Sequence, residues 1–332
     1  MRHLKVRLCA KQILLVLGFV LSLVCISASA ASFDCRKATT EIEKSICADS
    51  SLSALDSKLA QVYREQLEKL PSEGKVLLRD YQVDWIVWLR ATCRSDSLGS
   101  TPIEQCLTEQ YNARIQLLSY TLVVSDGSMR VMLGTVYSTK PSASGPLNPM
   151  GPFVVPIILL PKTDLARGWN STAIRFAVPS SYLSDASAVS TIHWSGAGGV
   201  SAIVTASWDA PTGRRVAAAQ GFTWLAGRGP LQDRHIFNAK LQWRQTLQNA
   251  CLQAIALAAQ ELANKNQGQI SDSDLAYVAK ATCEKQEPSK WAISRAGLII
   301  IANQRAWALG LDDPVIPWSE LQAVLAVDWK IQ

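Results

Sequence analysis

The placement of cysteine restricts this chain more than any other feature. Six cysteines, Cys35, Cys47, Cys93, Cys106, Cys251 and Cys283, follow a segment that carries the marks of a leader. That segment opens with Arg2, Lys5, Arg7 and Lys11, has no acid before Asp34, runs almost unbroken in apolar residues from Ile13 to Ile26, and ends in Ala28-Ser29-Ala30. A basic start, an apolar middle and small residues in an A-x-A arrangement define a secretory signal peptide, and cleavage is expected after Ala30. An uncleaved anchor is the weaker reading, because the apolar run falls short of the roughly 20 residues a bilayer requires. The mature chain is therefore expected in a periplasmic or secreted setting with no membrane segment. An even number of cysteines in an oxidising compartment implies three disulfides. Their spacing lacks the C-x-x-C pairs of zinc sites, and only His193 and His235 lie beyond the leader, so no metal or other cofactor is expected.

Charge narrows the partners. The formal net charge is +6. The leader holds four of the basic residues and no acid, so residues 31–332 carry about +2. A basic balance that leaves with a leader says nothing about nucleic acid, and no basic run with interleaved aromatics survives cleavage. Nucleic acid is not expected as a partner.

Three regions of different character follow, and together they predict an α+β chain. Residues 31–119 read as a disulfide-braced helical hairpin with a third helix packed on it. Thr40 and Glu43 form a capping box, and Asp49-Ser50-Ser51 offers caps for a longer helix with Leu52, Leu55, Leu59, Val62, Leu67 and Leu70 near helical spacing. Pro71-Ser72 ends it. Leu77, Leu78, Tyr81, Trp85 and Trp88 form the next stripe, with Trp85 expected in the core and Trp88 more exposed. Pro102 suits a first helical position, ahead of Leu107, Tyr111, Ile115 and Leu118.

Residues 120–237 contain no glutamate and are rich in Gly, Pro, Ser and β-branched residues. "MRVMLGTVY", "FVVPIILL", "TAIRFAV", "AVSTIHW", "VSAIVTASW" and "RRVAAAQGFTWL" read as strands of one antiparallel β-rich domain, with "TKPSASGPLNPMGP" as a long loop. Residues 238–332 read as helical again. Ser271 to Asp274 caps a helix, and a hairpin turning near Gln267 would bring Cys251 level with Cys283.

Within the first region, specific positions carry a family resemblance. They are Asp34-Cys35 with Glu43-Lys44-Ser45-Ile46-Cys47-Ala48-Asp49; Leu52 with Leu55-Asp56 and then Tyr63; Gln82-x-x-Trp85 and then Cys93; and Cys106-Leu107 with Tyr111 and Arg114-Ile115. In this order they resemble the LprI family, helical periplasmic or secreted domains named for lysozyme inhibition. The segment departs from the family where an Arg-Asp pair usually follows the tryptophan: Leu89 holds the place of the arginine, Arg90 comes one residue late and Ala91 replaces the acid. The resemblance implies a disulfide-braced module. Local pairs, Cys35–Cys47 and Cys93–Cys106, are preferred. The nested pairs Cys47–Cys93 and Cys35–Cys106 stay open, since residues 47 and 93 are nearly symmetric about Pro71.

No constellation for catalysis stands out, and the chain is expected not to be an enzyme. His193 in "STIHWSGAGG" has serines nearby but no G-x-S-x-G elbow, and reads as a strand histidine before a turn. Gly196 to Gly199 is not followed by G-K-[ST] and reads as a hairpin turn. The β-rich region offers only scattered aspartates, with no glutamate to form the paired carboxylates of a glycosidase. The eleven tryptophans read mainly as core.

Two functions are then open, one implied by the resemblance and one by the more than two-thirds of the mature chain that lies outside it. The first is an exported inhibitor that binds lysozyme or another peptidoglycan hydrolase. Such enzymes are often cationic, so the acids Asp34, Glu41, Glu43 and Asp49 are the candidate contact set. The second is a non-inhibitory cell-envelope interaction protein, or a toxin-neutralising one, that uses the helical region as a structural module.

Overall fold

The computed structural model describes residues 31–94, 101–119, 122–124, 130–142, 145–159, 164–178, 184–196, 198–209, 212–265, 270–284 and 286–329. The leader and its expected cleavage after Ala30 lie outside them. The chain falls into two compact units. One comprises residues 31–64 and Cys93–Gln116; the other comprises Glu65–Thr92 and everything from Leu117 onward.

The first unit is built from caps and bridges. Thr40 opens α1 (Glu41–Ala48) with a complete capping box: its hydroxyl accepts from the Glu43 amide, and the Glu43 carboxylate accepts from the Thr40 amide. Asp49 then accepts from the amides of Ser51 at 2.7 Å and Leu52 at 3.1 Å, which starts α2 (Ser50–Lys69) with donors that would otherwise be orphaned. The Ser53 hydroxyl donates to the Ile46 carbonyl at 2.7 Å and fixes the turn between the two helices. Pro102 sits just before α4 (Ile103–Ser119), its carbonyl accepting from the amides of Gln105 and Cys106. Ile46, Leu52, Leu59, Val62 and Leu107 are buried, with Cys93 and Cys106. The disulfides are the local ones, Cys35–Cys47 and Cys93–Cys106, each with its Cα atoms 5.7 Å apart.

The second unit begins with α3 (Ser72–Thr92), which buries Gly74, Leu78, Tyr81, Trp85, Trp88 and Leu89 against a seven-stranded sheet. The sheet runs in sequence order: β1 (Leu122–Val124), β2 (Arg130–Ser142), β3 (Gly145–Ile158), β4 (Ser184–Gly196), β5 (Gly199–Asp209), β6 (Arg215–Leu225) and β7 (Gly229–Pro230). α3 lies on β2 and β3. Gly134 in β2 makes this possible, because a Cβ there would sit 2.7 Å from the Tyr81 ring. Trp88 is 5% exposed and rests on Tyr137, ring centroids 5.1 Å apart. That overturns the expectation of a more exposed Trp88. Residues three apart share a helix face, so a sheet broad enough to cover Trp85 covers its neighbour too.

Two other expectations for this region are corrected. "TAIRFAV" is not a strand; it belongs to α5 (Asp164–Ala177). Trp169, Ala173 and Ala177 are buried at a spacing of four, a helical face that a seven-residue window cannot reveal. The helix serves as the crossover between β3 and β4, which are parallel and meet at Phe153 and Ala188. The Asn170 side chain accepts from the Ile158 amide and donates to the Ile158 carbonyl, pinning the helix to the end of β3. Nor are the described parts of "TKPSASGPLNPMGP" a loop: β2 extends into it to Ser142 and β3 starts at Gly145, the two paired antiparallel with register shifts at Val136/Ser138 and Pro141/Ser142; residues 143–144 lie outside the described residues. Among the described residues, β3 before Phe153 pairs only with β2, so the missing N–H of its prolines can fall on the unpaired edge.

Beyond the sheet, Asp233–Ile236 (α6) leads to α7 (Trp243–Asn264) and α8 (Asp272–Cys283), joined by Cys251–Cys283 as a helical hairpin. Ser271 caps α8. The rest was expected to be helical, and here the structure differs. β8 (Trp291–Ile293), β9 (Gly297–Ile300) and β10 (Val315–Pro317) form a second, antiparallel sheet, with the short helices α9 (Gln304–Ala308) and α10 (Trp318–Leu321) beside it. The run Leu298 to Ile301 is almost wholly buried, as a short continuous apolar run in a strand should be. β8 docks on the larger sheet. The Ser201 hydroxyl accepts from the Ile293 amide at 2.7 Å and pairs with the Thr223 hydroxyl at 2.6 Å. Gly221 leaves no room for a Cβ beneath the Trp291 carbonyl. Phe237 stacks on Trp243 at 4.5 Å, and Trp291 meets both edge-on. The fold is thus α+β, and among the described residues no helix is long and apolar enough to cross a membrane.

Candidate functional site

Most residues that carry the family pattern are buried or half-buried. Asp56 on α2 is 8% exposed and Tyr111 on α4 is 4% exposed. The Tyr111 hydroxyl donates to Asp56 Oδ1 at 3.0 Å, and the Ser32 amide donates to Oδ2 at 2.5 Å. Burial, then the charge of Asp56 and the bond to it, push the Tyr111 phenol far above its ordinary range, so it stays a donor to the carboxylate. Arg114, one turn further on, is 1% exposed. Trp85 is buried, while Leu55, Tyr63 and Gln82 are half-buried. The Tyr111–Asp56 bond ties α4 to α2.

The four acids singled out by sequence sit around α1, and the hydrogen bonds of Asp34, Glu43 and Asp49 start turns or helices. Asp34 accepts from the Arg36 amide and pairs with its guanidinium at 2.9 Å, which holds its carboxyl below the usual range. The amides of Thr40 and Thr39, at 3.0 and 2.9 Å, pull Glu43 down to about 2. Asp49 caps α2. Glu41 stands exposed in the first turn of α1. The acids share one neighbourhood, but their hydrogen bonds make helix starts of three of them. The capping-box spacing announces this for Glu43; only the turn geometry shows it for Asp34.

The β-rich unit holds the residues read against catalysis. His193 lies in β4, half-buried. Burial lowers its pKa, opposed by the nearby charge of Asp313. Asp313 itself is raised by burial, though it accepts from the Ala302 amide at 2.8 Å and from Trp307 Nε1 at 3.0 Å. His235 Nδ1 accepts from the Gln232 amide at 3.1 Å. Gly196 pairs with Gly199 at the β4–β5 turn. Gly199 adopts φ +148°, where a side chain would be strained. A cavity of about 390 Å³ is lined by Trp169, Phe222, Leu231, Gln220, Thr172 and Ser289 among others, none of them titratable. Among the described residues no group of three or more His, Cys, Asp or Glu is placed to hold a metal. None of the tryptophans is exposed.

One feature of α3 escaped the sequence reading. Val76, Val83, Ile86 and Val87 are 54, 59, 37 and 45% exposed. Their signal was in the sequence, as apolar residues on the side of the helix away from Leu78, Tyr81 and Trp85.

No curated protein matches the chain. Among solved structures, a DUF3298 family protein from Pseudomonas aeruginosa PAO1 is similar at 13% identity and a TM-score of 0.41, covering 61% of this chain and 96% of that one. A member of the same family from Bacteroides fragilis NCTC 9343 is similar at 8% identity and a TM-score of 0.40, with the same coverage. Residues 35–118, the stretch that contains the buried Asp56–Tyr111 pair and both N-terminal disulfides, match the model of the family described as lysozyme inhibitor LprI.

Proposed function

We propose that this protein is an exported binding protein that holds a lysozyme-type peptidoglycan hydrolase through its LprI-like segment and blocks it. The observation that carries this reading is the family match over residues 35–118. The three disulfides and the leader-like N-terminus support a periplasmic or secreted location, since bridges persist where the compartment is oxidising. The reading is one of binding, not catalysis. Asp34, Glu41, Glu43 and Asp49 enter it as one candidate contact set. Because the other three take part in caps, Glu41→Lys is the substitution that changes charge there without removing a cap.

The test is peptidoglycan cleavage by a purified cationic lysozyme with increasing amounts of the oxidised 31–332 protein. Inhibition that saturates near one equivalent is the expected result. No inhibition and no binding across several lysozyme types would overturn it. A second reading is favoured by one observation: residues 130–329 fold into two sheets with their own aromatic core, outside the matched stretch. In that reading the LprI-like segment is a structural module of a cell-envelope interaction or toxin-neutralising protein, and capture of envelope proteins without any lysozyme would support it.

A further inference from the structure

Helix α3 has two faces of opposite character. Leu78, Tyr81, Trp85, Trp88 and Leu89 face the sheet and are buried. On the other side Val76, Val83 and Val87 fall within about 40° of one another at 100° per residue and are 54, 59 and 45% exposed. Ile86 extends the patch at 37%. Single exposed apolar side chains are ordinary, but a contiguous ridge of them is not. β-Branched residues also weaken a helix slightly, so within this chain the ridge has a cost and no return.

The flanks are charged. Asp80 and Asp84, both exposed, lie one turn apart along one side of the ridge. Like charges at this spacing repel, and Asp84 is raised first by partial burial and then by Asp80. Among the described residues no hydrogen bond or ion pair offsets that repulsion at Asp80 or Asp84. Arg79 and Arg90 lie on the other flank. An apolar ridge with a strained acidic border is what a helix shows when its complement is on another molecule.

We propose that the outer face of α3, centred on Val83 and Val87 and bordered by Asp80 and Asp84, is a docking surface for a cationic protein that presents an apolar patch beside its basic residues. This rests on the hydrolase-binding reading above and names the face that serves it. A second copy of this chain would set acidic flank against acidic flank if docked antiparallel, and acidic flank against Arg79 and Arg90 if docked parallel; the oligomeric state in the experiment below separates that occupant from the cationic one. The cationic partner relieves the Asp80–Asp84 repulsion and covers the valines together. Acidic residues at the rim speed encounter, and the apolar centre slows release.

The experiment compares the oxidised 31–332 protein with two double variants, Asp80→Asn/Asp84→Asn and Val83→Ser/Val87→Ser, in inhibition and binding of a purified cationic lysozyme. All four positions are exposed, so both variants are expected to keep the wild-type circular dichroism spectrum, and the asparagine pair to melt slightly higher. Each variant is expected to bind at least tenfold more weakly. Added salt should slow association of the wild type and leave the asparagine variant nearly unaffected. If the wild type inhibits and both variants inhibit equally well, the face is wrong and the functional reading stands. If the wild type neither binds nor inhibits any cationic lysozyme, both fall. Concentration-dependent dimerisation of the wild type, abolished by the serine pair, would assign the face to a second copy and overturn the proposal.

Discussion

The two units stay folded by different means. The smaller one, residues 31–64 with Cys93–Gln116, buries few large side chains and has two disulfides that close short loops, at sequence separations of 12 and 13. It also places a carboxylate, a phenol and a guanidinium, Asp56, Tyr111 and Arg114, in its interior. The larger one has two sheets and an aromatic cluster of Phe237, Trp243 and Trp291, with one disulfide across a helical hairpin. A small domain buries a smaller fraction of its surface and relies on cross-links and caps; a larger one can rely on packing. Substitutions should therefore act through covalent and polar groups in the first unit and through steric fit in the second.

The largest effect is expected from Gly221→Ala. The new methyl would collide with the Trp291 backbone carbonyl, and backbone cannot move aside as a side-chain end can. A loss of about 3 kcal/mol or more is expected, read as a collapse of the near-ultraviolet tryptophan signal at a lower denaturant concentration. An unchanged midpoint would show that the two sheets are loosely joined and would break the contrast.

Removing disulfides sharpens it. Replacing Cys251 and Cys283 by alanine should cost about 3–4 kcal/mol, and replacing Cys35 and Cys47 roughly 1 kcal/mol less, because the closed loop is shorter; the separations are 32 and 12 residues. The smaller loss should nevertheless do more damage to its own unit, which has less core in reserve. Proteolysis of each variant under native conditions would show it, with cuts in residues 31–64 for the first bridge.

Tyr111→Phe comes next. It takes a donor from the buried Asp56 carboxylate, and a loss of about 1–3 kcal/mol is expected in chemical denaturation. A neutral result would mean that the polar interior of the first unit is replaceable.

Glu43→Ala is expected to cost about 1 kcal/mol through the lost capping box. This substitution also has a pH signature. The Glu43 carboxyl is lowered from 4.5 to about 2 in the folded chain, so its contribution is complete above pH 4.5 and fades as pH falls toward 2. Glu43 is only half-buried, so solvent screening keeps the effect small. Thermal melts from pH 6 to pH 2 should show a slightly shallower acid decline in Glu43→Ala than in wild type.

Much of the first unit was legible because its signals are local. A capping box spans four residues, and the Cys35 and Cys47 spacing already favours a short closed loop. The β4–β5 hairpin was legible for the same reason, from the glycines at its turn. "TAIRFAV" misled because its period shows only when Trp169 is counted with Ala173 and Ala177. Trp291 to Ile300 misled because short apolar runs fit helix or strand equally well until a neighbour supplies hydrogen bonds. For the candidate sites, the acids around α1 were found by sign of charge, but not their engagement in caps. The valines of α3 stood in the sequence as apolar residues opposite Leu78 and Trp85, but that they stay exposed was decided by the sheet taking the other face.

The sequence by itself determined the helix starts at Thr40, Asp49 and Ser271, the leader-like N-terminus, the even set of cysteines and the change from helical to β-rich composition, all of which depend on residues close together in the chain. Tertiary structure alone decided that Trp88 is covered by Tyr137, that a proline-rich stretch continues a hairpin, and that Gly221 must be a glycine. Each of those outcomes depends on which distant backbone arrives opposite, and no local pattern encodes that.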